Sequence, residues 1–554
     1  MQRCHLMTGL LAMMLTAAGC CDNWGALGPE DLPRVGEVLT IDSPKRLLIR
    51  EGETGYLGGT ILVEEDGVLN LAVEGELSVA EEAGIETRGG RVAWTLDGIL
   101  DGATFSLTNN GGGSIMLDAA TGSINIGTLN ILNGDQDINS DDESSLTWTG
   151  TGMRANNMNV YNYGGTTRIT DTGMMQVSNM SLSSTDGGVL SMTIEGELSG
   201  VLCVADASDG GRVEWILEGM LDVANLSLAN AAGGSITLDA AMGSIDIGNL
   251  NMNNVEASSL IWTSAGMLIN NMNVNNYGGT TRITDAGTMQ VSNMNLKSTD
   301  AGVLSMIVEG DLSGVLYTVD ASGGGRVEWI LEGALDSANC SLTNGTGGSI
   351  TVDAASGSID IGNLNINNVV ESSLTWTSTG MRANNMNVNN YGGTARITDA
   401  GTMQVNNMNL KEQSDTESGG LTLTCNDGTL NNLAAVANGS GSALDILLQG
   451  QSSWNDINVD TNYGGSVRID VGAEATVSCE HLYVDCNGAS HGRLSNGELI
   501  NAGNLTVDTL LTPVGCIYED VTDPAGQSTW LVTFPGGETF TIINSGTLDM
   551  PLPF

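Results

Sequence analysis

The feature that most restricts how this chain can fold is a repeat nested inside a longer repeat. The stretch Asn271-Met-Asn-Val-Asn-Asn-Tyr277-Gly-Gly-Thr returns almost unchanged from Asn157 and from Asn385, so that Tyr163, Tyr277 and Tyr391 follow one another at 114 residues. Within it, an asparagine followed by apolar, any residue, apolar recurs at 22 or 24 residues: Asn157 and Asn179; Asn225, Asn249, Asn271 and Asn293; Asn339, Asn363, Asn385 and Asn407. Apolar residues alternate with polar ones on either side, which is the period of a strand with one buried face. A unit this short cannot bury its own apolar face, so neighbouring units must stack on one another. Stacking places each strand about 4.8 Å from its counterpart in a parallel sheet. It also sets asparagine over asparagine, where amide can bond to amide and satisfy groups otherwise buried at cost. The ten asparagines above are therefore expected to form an internal ladder, with Thr104 and Thr128 in the same slot of the first copy.

The repeat also sets the boundaries. Residues 67–187, 188–301 and 302–415 are three long copies, and 416–511 is a degenerate fourth in which Tyr463 arrives early. Residues 20–66 read as an N-terminal cap with irregular first coils, and 512–554 as a C-terminal cap or small module. The pattern from 67 to 508 resembles the right-handed parallel β-helix, an all-β solenoid, here with coils of about 22 residues. Gly-Gly-Ser-Ile at Gly112, Gly233 and Gly347 is similar to the Gly-Gly-Ala-Ile motif of polymorphic outer-membrane adhesins, although their Phe-x-x-Asn is missing. That resemblance implies an adhesin-like passenger architecture.

Residues 1–19 have the layout of an export signal: Arg3, an apolar run from Leu6 to Thr16, then Ala17-Ala-Gly19 before Cys20. They resemble a bacterial lipoprotein signal, which implies lipidation of Cys20. Ala17 stands where that family prefers leucine, so cleavage by an ordinary signal peptidase is the competing reading. Either implies a protein of the cell envelope or the extracellular space. No later stretch reaches the ~18 apolar residues of a membrane-spanning helix, so a membrane partner is expected only through the lipid.

Lys and Arg number 18 against 65 Asp and Glu, a formal charge of −47, which repels nucleic-acid phosphates and anionic lipid but attracts divalent cations. The acidic insertion Asp135-x-Asp137-x-Asn139-x-Asp141-Asp142-Glu143 carries oxygen ligands at alternate positions, as calcium loops do. It has Ser140 where such a loop needs glycine and Leu146 where it needs glutamate. Calcium at Asp135, Asp137, Asn139, Asp141 and Glu143 is the only cofactor the sequence suggests, and a solvated acidic loop is the plain alternative. Cys203 aligns with Tyr317, and Cys340 with Phe105 and Leu226, which marks packed interior positions. Export would permit a disulfide among Cys425, Cys479, Cys486 and Cys516, with no pairing specified by their spacing.

The β-helix fold also carries pectate lyases and polygalacturonases, whose chemistry needs a local, non-repeating cluster of carboxylates or calcium ligands. In this chain the acids recur with the array, at Asp171, Asp285 and Asp399 and at Asp118, Asp239 and Asp353. The arginines recur likewise at Arg168, Arg282, Arg396 and Arg468, and are expected to pair with acids across coils. His481 falls in the ladder slot, His491-Gly-Arg493 reads as a turn, and the tryptophan rows (Trp94, Trp215, Trp329; Trp148, Trp262, Trp376) alternate as core residues. No catalytic residue is assigned. The expected function is an exported surface adhesin or structural scaffold with a glycan or protein ligand. The alternative is a polysaccharide-binding or polysaccharide-cleaving β-helix.

Overall fold

The computed structural model describes residues 24–134, 144–414, 419–487, 496–521 and 528–551. Apart from one 3-10 turn at Pro29–Asp31, their regular structure is β-strand. None of their helices is long and apolar enough to cross a membrane. The chain divides into two compact units, residues 1–224 with 234–236, and residues 225–233 with 237–554. Each unit is a parallel β-solenoid.

One coil of the second unit shows how the sequence builds it. Met267–Tyr277 lies in parallel register with Ser244–Val255 on one side and Met289–Thr299 on the other. The short strand Thr280–Asp285 lies in the same way between Ser259–Ser264 and Val303–Val308. Met267, Ile269, Met272, Val274 and Ile283 are all buried, at 3% exposure or less. Strict alternation breaks once, where Asn270 and Asn271 point outward in succession. Two outward residues in a row bend the strand, so each coil has three straight segments around one core. Buried side chains of this size stabilise by ~1.5–3 kcal/mol each, and no coil could retain that without the coils beside it.

The corners use glycine. Gly278 holds φ +81, a left-handed conformation that other residues adopt at a cost. At another corner Gly287, Gly310, Gly333 and Gly357 stack so closely that a Cβ on any of the last three would meet the preceding glycine's carbonyl oxygen.

In the first unit, parallel pairing already starts at Gly25–Leu27, which lies against Lys45–Ile49. At the C-terminal end of the second unit the pattern changes. Thr539–Asn544 is parallel to Asn496–Asn501 but antiparallel to Ser528–Thr533, which is antiparallel to Ile517–Asp520. This ribbon covers the last coil with Val532, Phe534, Phe540 and Ile542, all buried, and shields an otherwise open sheet edge.

Both tryptophan rows lie in the core, each indole at 1% exposure or less. Cys203, Cys340, Cys425, Cys479 and Cys486 are buried free thiols, Cys516 is half-buried, and no disulfide joins the described cysteines. Burial pushes the thiols of Cys203 and Cys340 up to about 12, which makes them inert packing residues.

Candidate functional site

The asparagines singled out by the repeat do stack, but on the outside. Asn271 donates to Asn249 at 2.8 Å and accepts from Asn293 at 2.9 Å. Asn249 donates to Asn225, and the next copy links Asn363 to Asn339, Asn385 to Asn363 and Asn407 to Asn385 at 2.6–3.0 Å. In the first unit Asn179 bonds to Asn157, and Asn157 to Thr128. All ten are half-buried or exposed. The expectation of an internal position is corrected: Asn271 has the parity of Asn273, opposite to buried Met272 and Val274.

The internal ladder runs five residues further on. Asn276 is fully buried. Its amide donates to Gly279 O (2.8 Å) and Ser298 Oγ (3.4 Å) and accepts from Asn254 Nδ2 (3.0 Å) and Thr281 Oγ1 (3.3 Å). Asn162 repeats this arrangement in the first unit with Gly165, Ser184, Asn133 and Thr167. In the third copy Asn390 donates to Gly393 O and to Glu412, a fully buried glutamate in the slot of Ser184 and Ser298.

The repeating acids are engaged in turns. Asp285 Oδ1 accepts from Gly287 N at 2.9 Å, while its Oδ2 accepts from Ser264 Oγ at 2.7 Å and Gly266 N at 3.1 Å. Asp399 bonds in the same way to Ser378 and Gly401, and Asp171 to Gly173. Burial raises the pKa of Asp171 and Asp399 against these hydrogen bonds. Asp118, Asp239 and Asp353 each accept from the backbone N–H two residues on. The arginine row does not pair across coils. Arg468 pairs with Asp470 on its own strand at 3.0 Å, while Arg168, Arg282 and Arg396 form no ion pair among the described residues. The register explains Arg282, whose neighbours one coil away are Ile261 and Ser305.

The calcium-loop residues Asp135, Asp137, Asn139, Asp141 and Glu143 lie outside the described residues, as do Cys20, His491 and Arg493. Among the described residues no three His, Cys, Asp or Glu side chains gather as metal ligands.

What the structure brings together is an amide-covered face in the second unit. From Asn251 to Tyr483 the outward residue after the bend aligns coil by coil through Asn273, Asn387, Asn409, Ala434 and Asn458. No carboxylate occurs in that column. Adjacent asparagines bond along it, Asn273 to Asn251 and Asn387 to Asn365, at 3.2 and 3.0 Å. The next outward column does the same, Asn275 to Asn253 and Asn389 to Asn367, both at 3.1 Å. It also holds Lys297 and Lys411, two of the chain's three lysines, together with Asp320, Asp460 and Asp485. On the other outward faces acids stand in the rows, Asp336 beside Asp360 and Asp445 beside Arg468 and Glu498.

The amide column gives way to hydroxyls at Thr318 and Ser341 and to a methyl group at Ala434. At Ala434 the surface sinks into a hollow of about 610 Å³ between Asn409 and Asn458, walled by Asn432 and Asp456 and closed by the half-exposed ring of Tyr483. Asp456 Oδ1 lies within hydrogen-bond distance of His481 Nδ1, at 2.9 Å, and the His481 and Tyr483 rings lie 6.0 Å apart. A second groove, of about 440 Å³, lies on the other side of the outer ladder, lined by Asp360, Arg382, Asn384, Gln404 and Asn406. Arg382 is held there by Gln404 at 3.1 Å and by Asp360 at 3.9 Å. Neither groove shows in a copy-by-copy alignment of the acids, whereas sorting charges by strand parity exposes the acid-free column.

Comparison with protein-family models, curated proteins and solved structures gives no match.

Proposed function

We propose that this chain works outside the cytoplasm, at the cell surface, as an adhesin or structural scaffold that binds without catalysing. The observation that carries the reading is the acid-free column of amides, set in register over successive coils of a strongly acidic chain. A catalytic centre concentrates unlike groups at one point, whereas this surface presents one chemistry many times. The repeating carboxylates are occupied in closing turns. Duplication of the 114-residue unit extends such a surface without creating new chemistry.

Two experiments test the proposal. Protease treatment of intact expressing cells is expected to degrade the protein, and its persistence would overturn the surface assignment. A Cys20→Ala variant is expected to leave the membrane fraction; if it stays, lipid is not the anchor. The second reading, polysaccharide cleavage, draws on the Asp456–His481 contact beside the hollow. Incubation with acidic and neutral glycans decides between the two: turnover lost in His481→Ala would replace the non-catalytic reading.

A further inference from the structure

We propose that the hollow over Ala434 is a binding subsite for a neutral, polyhydroxylated glycan chain laid along the amide face. The inference rests on the reading of this surface as a recognition surface and adds the class of ligand.

Charge comes first. A chain with a formal charge of −47 repels polyanions over its whole field, which disfavours uronate polymers, nucleic acid and a second copy of itself. A neutral chain meets no such barrier. The amide column itself holds no carboxylate, Asp456 on the wall of the hollow and Asp460 and Asp485 in the next column being the acids beside it, so an uncharged ligand along the column displaces water from few charges.

Hydrogen-bonding chemistry comes next. Along the column Asn273 uses one N–H to reach Asn251, and Asn387 uses one to reach Asn365. An amide carries two donor hydrogens and two acceptor lone pairs, more than these single bonds along the column use. Vicinal hydroxyls, each both donor and acceptor, match such a group. The coils repeat at about 4.8 Å, the same length scale as one linked pyranose, so successive sugars can meet successive amides.

Ala434 supplies the place where a ring can settle. Asparagines at the neighbouring positions fill the column, whereas the methyl of Ala434 leaves room between Asn409 and Asn458. Tyr483 lies two coils from Ala434 in the same column and offers an exposed ring face, against which the C–H face of a pyranose packs while the phenol stays wet. Asp456 on the wall provides a charged acceptor. The rest of the lining is mostly amide, from Asn387, Asn409, Asn432 and Asn458, which suits a ligand recognised through hydroxyl groups.

The full-length protein is titrated calorimetrically with linear β-1,4-glucan, α-1,4-glucan, β-1,3-glucan and β-mannan hexasaccharides, and with oligogalacturonate. At least one neutral oligosaccharide is expected to bind and the oligogalacturonate is not. Ala434→Asn continues the amide column and is expected to fold normally, yet to weaken that binding at least tenfold. Tyr483→Ala weakens it similarly, and raising the salt leaves it unchanged. The proposal is overturned if none of the neutral oligosaccharides binds, if Ala434→Asn binds as tightly as the parent, or if the oligogalacturonate binds best. It is also overturned if sedimentation shows self-association that Ala434→Asn abolishes, which would assign the face to a second copy. Turnover of a bound oligosaccharide, or intracellular retention, would instead sink the non-catalytic surface reading while leaving the subsite in place.

Discussion

Two asparagines five positions apart make opposite contributions. Asn276 is buried with both donors and both acceptor sites engaged, so truncating it deletes four buried hydrogen bonds, at ~0.5–1.5 kcal/mol each. Asn271 bonds to its neighbours at the surface, where water replaces a lost amide. Asn276→Ala is accordingly expected to cost several kcal/mol and Asn271→Ala about 1 kcal/mol or less. Native-state hydrogen exchange over residues 250–300 reads each cost locally, which suits a solenoid whose coils need not unfold together; equal protection in the two variants contradicts the internal role. Glu412 poses a related test. Burial pushes its carboxyl from the ordinary 4.5 up to about 7, against hydrogen bonds from Asn390 and the Gly392 backbone. A folded-state pKa above the unfolded one means that the folded chain holds the proton more tightly. Stability from this site is therefore full below about pH 4.5, declines as pH rises through 7, and levels off above it, a loss of about 3 kcal/mol. Glu412→Gln keeps a neutral, hydrogen-bonding group, so its advantage over the parent should grow across that window and then stay constant. A difference independent of pH would show that Glu412 is not titrating there.

At the level of the coil, stacking distance is set by backbone contact at the corners. A Cβ on Gly310 would meet the carbonyl oxygen and carbon of Gly287, atoms that cannot rotate away. Gly310→Ala is expected to cost about 2–3 kcal/mol by forcing coils apart. Gly380→Ala, whose added Cβ finds nothing nearer than Thr402 O at 3.8 Å, should be tolerated. Thermal melts followed by circular dichroism compare the two, and equal midpoints would remove the close-contact account. Coil length and parallel stacking were legible in the sequence because each coil repeats one pattern of apolar parity. The bend was not, because Asn270 and Asn271 both face outward and a strict two-residue period has no place for that. The same slip placed the ladder inside at Asn271; parity counted onward from Met272 and Val274 arrives at Asn276 instead. Ala434 was invisible for a different reason: an alanine acquires meaning only beside Asn409 and Asn458, which register brings next to it from other coils.

Across the chain as a whole, the dominant unbalanced quantity is charge. The formal −47 is spread unevenly: the amide column carries no acid, while turns stack like charges one coil apart. The register that pairs Val308 with Leu331 sets Glu309 beside Glu332, and the register pairing Ile194 with Leu217 does the same for Glu195 and Glu218. All four side chains are exposed to some degree, so each pair is separated by about the strand spacing in a high-dielectric setting, where the repulsion is ~1 kcal/mol. Ion pairs do little to offset this, because the arginines at 212 and 326 pair only with glutamates on their own strands and exposed pairs of that kind stabilise weakly. Folding concentrates this charge, and unfolding lets it spread. Salt shortens the reach of the repulsion from ~30 Å at 0.01 M to ~3 Å at 1 M. The melting temperature should therefore rise steadily with sodium chloride over that range, most steeply at the low end where screening changes fastest. Glu332→Gln should reproduce a small part of the rise at low salt, by roughly 0.5 kcal/mol, and add nothing at high salt, because the repulsion it removes is already screened. A melting temperature that stays flat or falls with salt would mean that self-repulsion does not limit the stability of this fold.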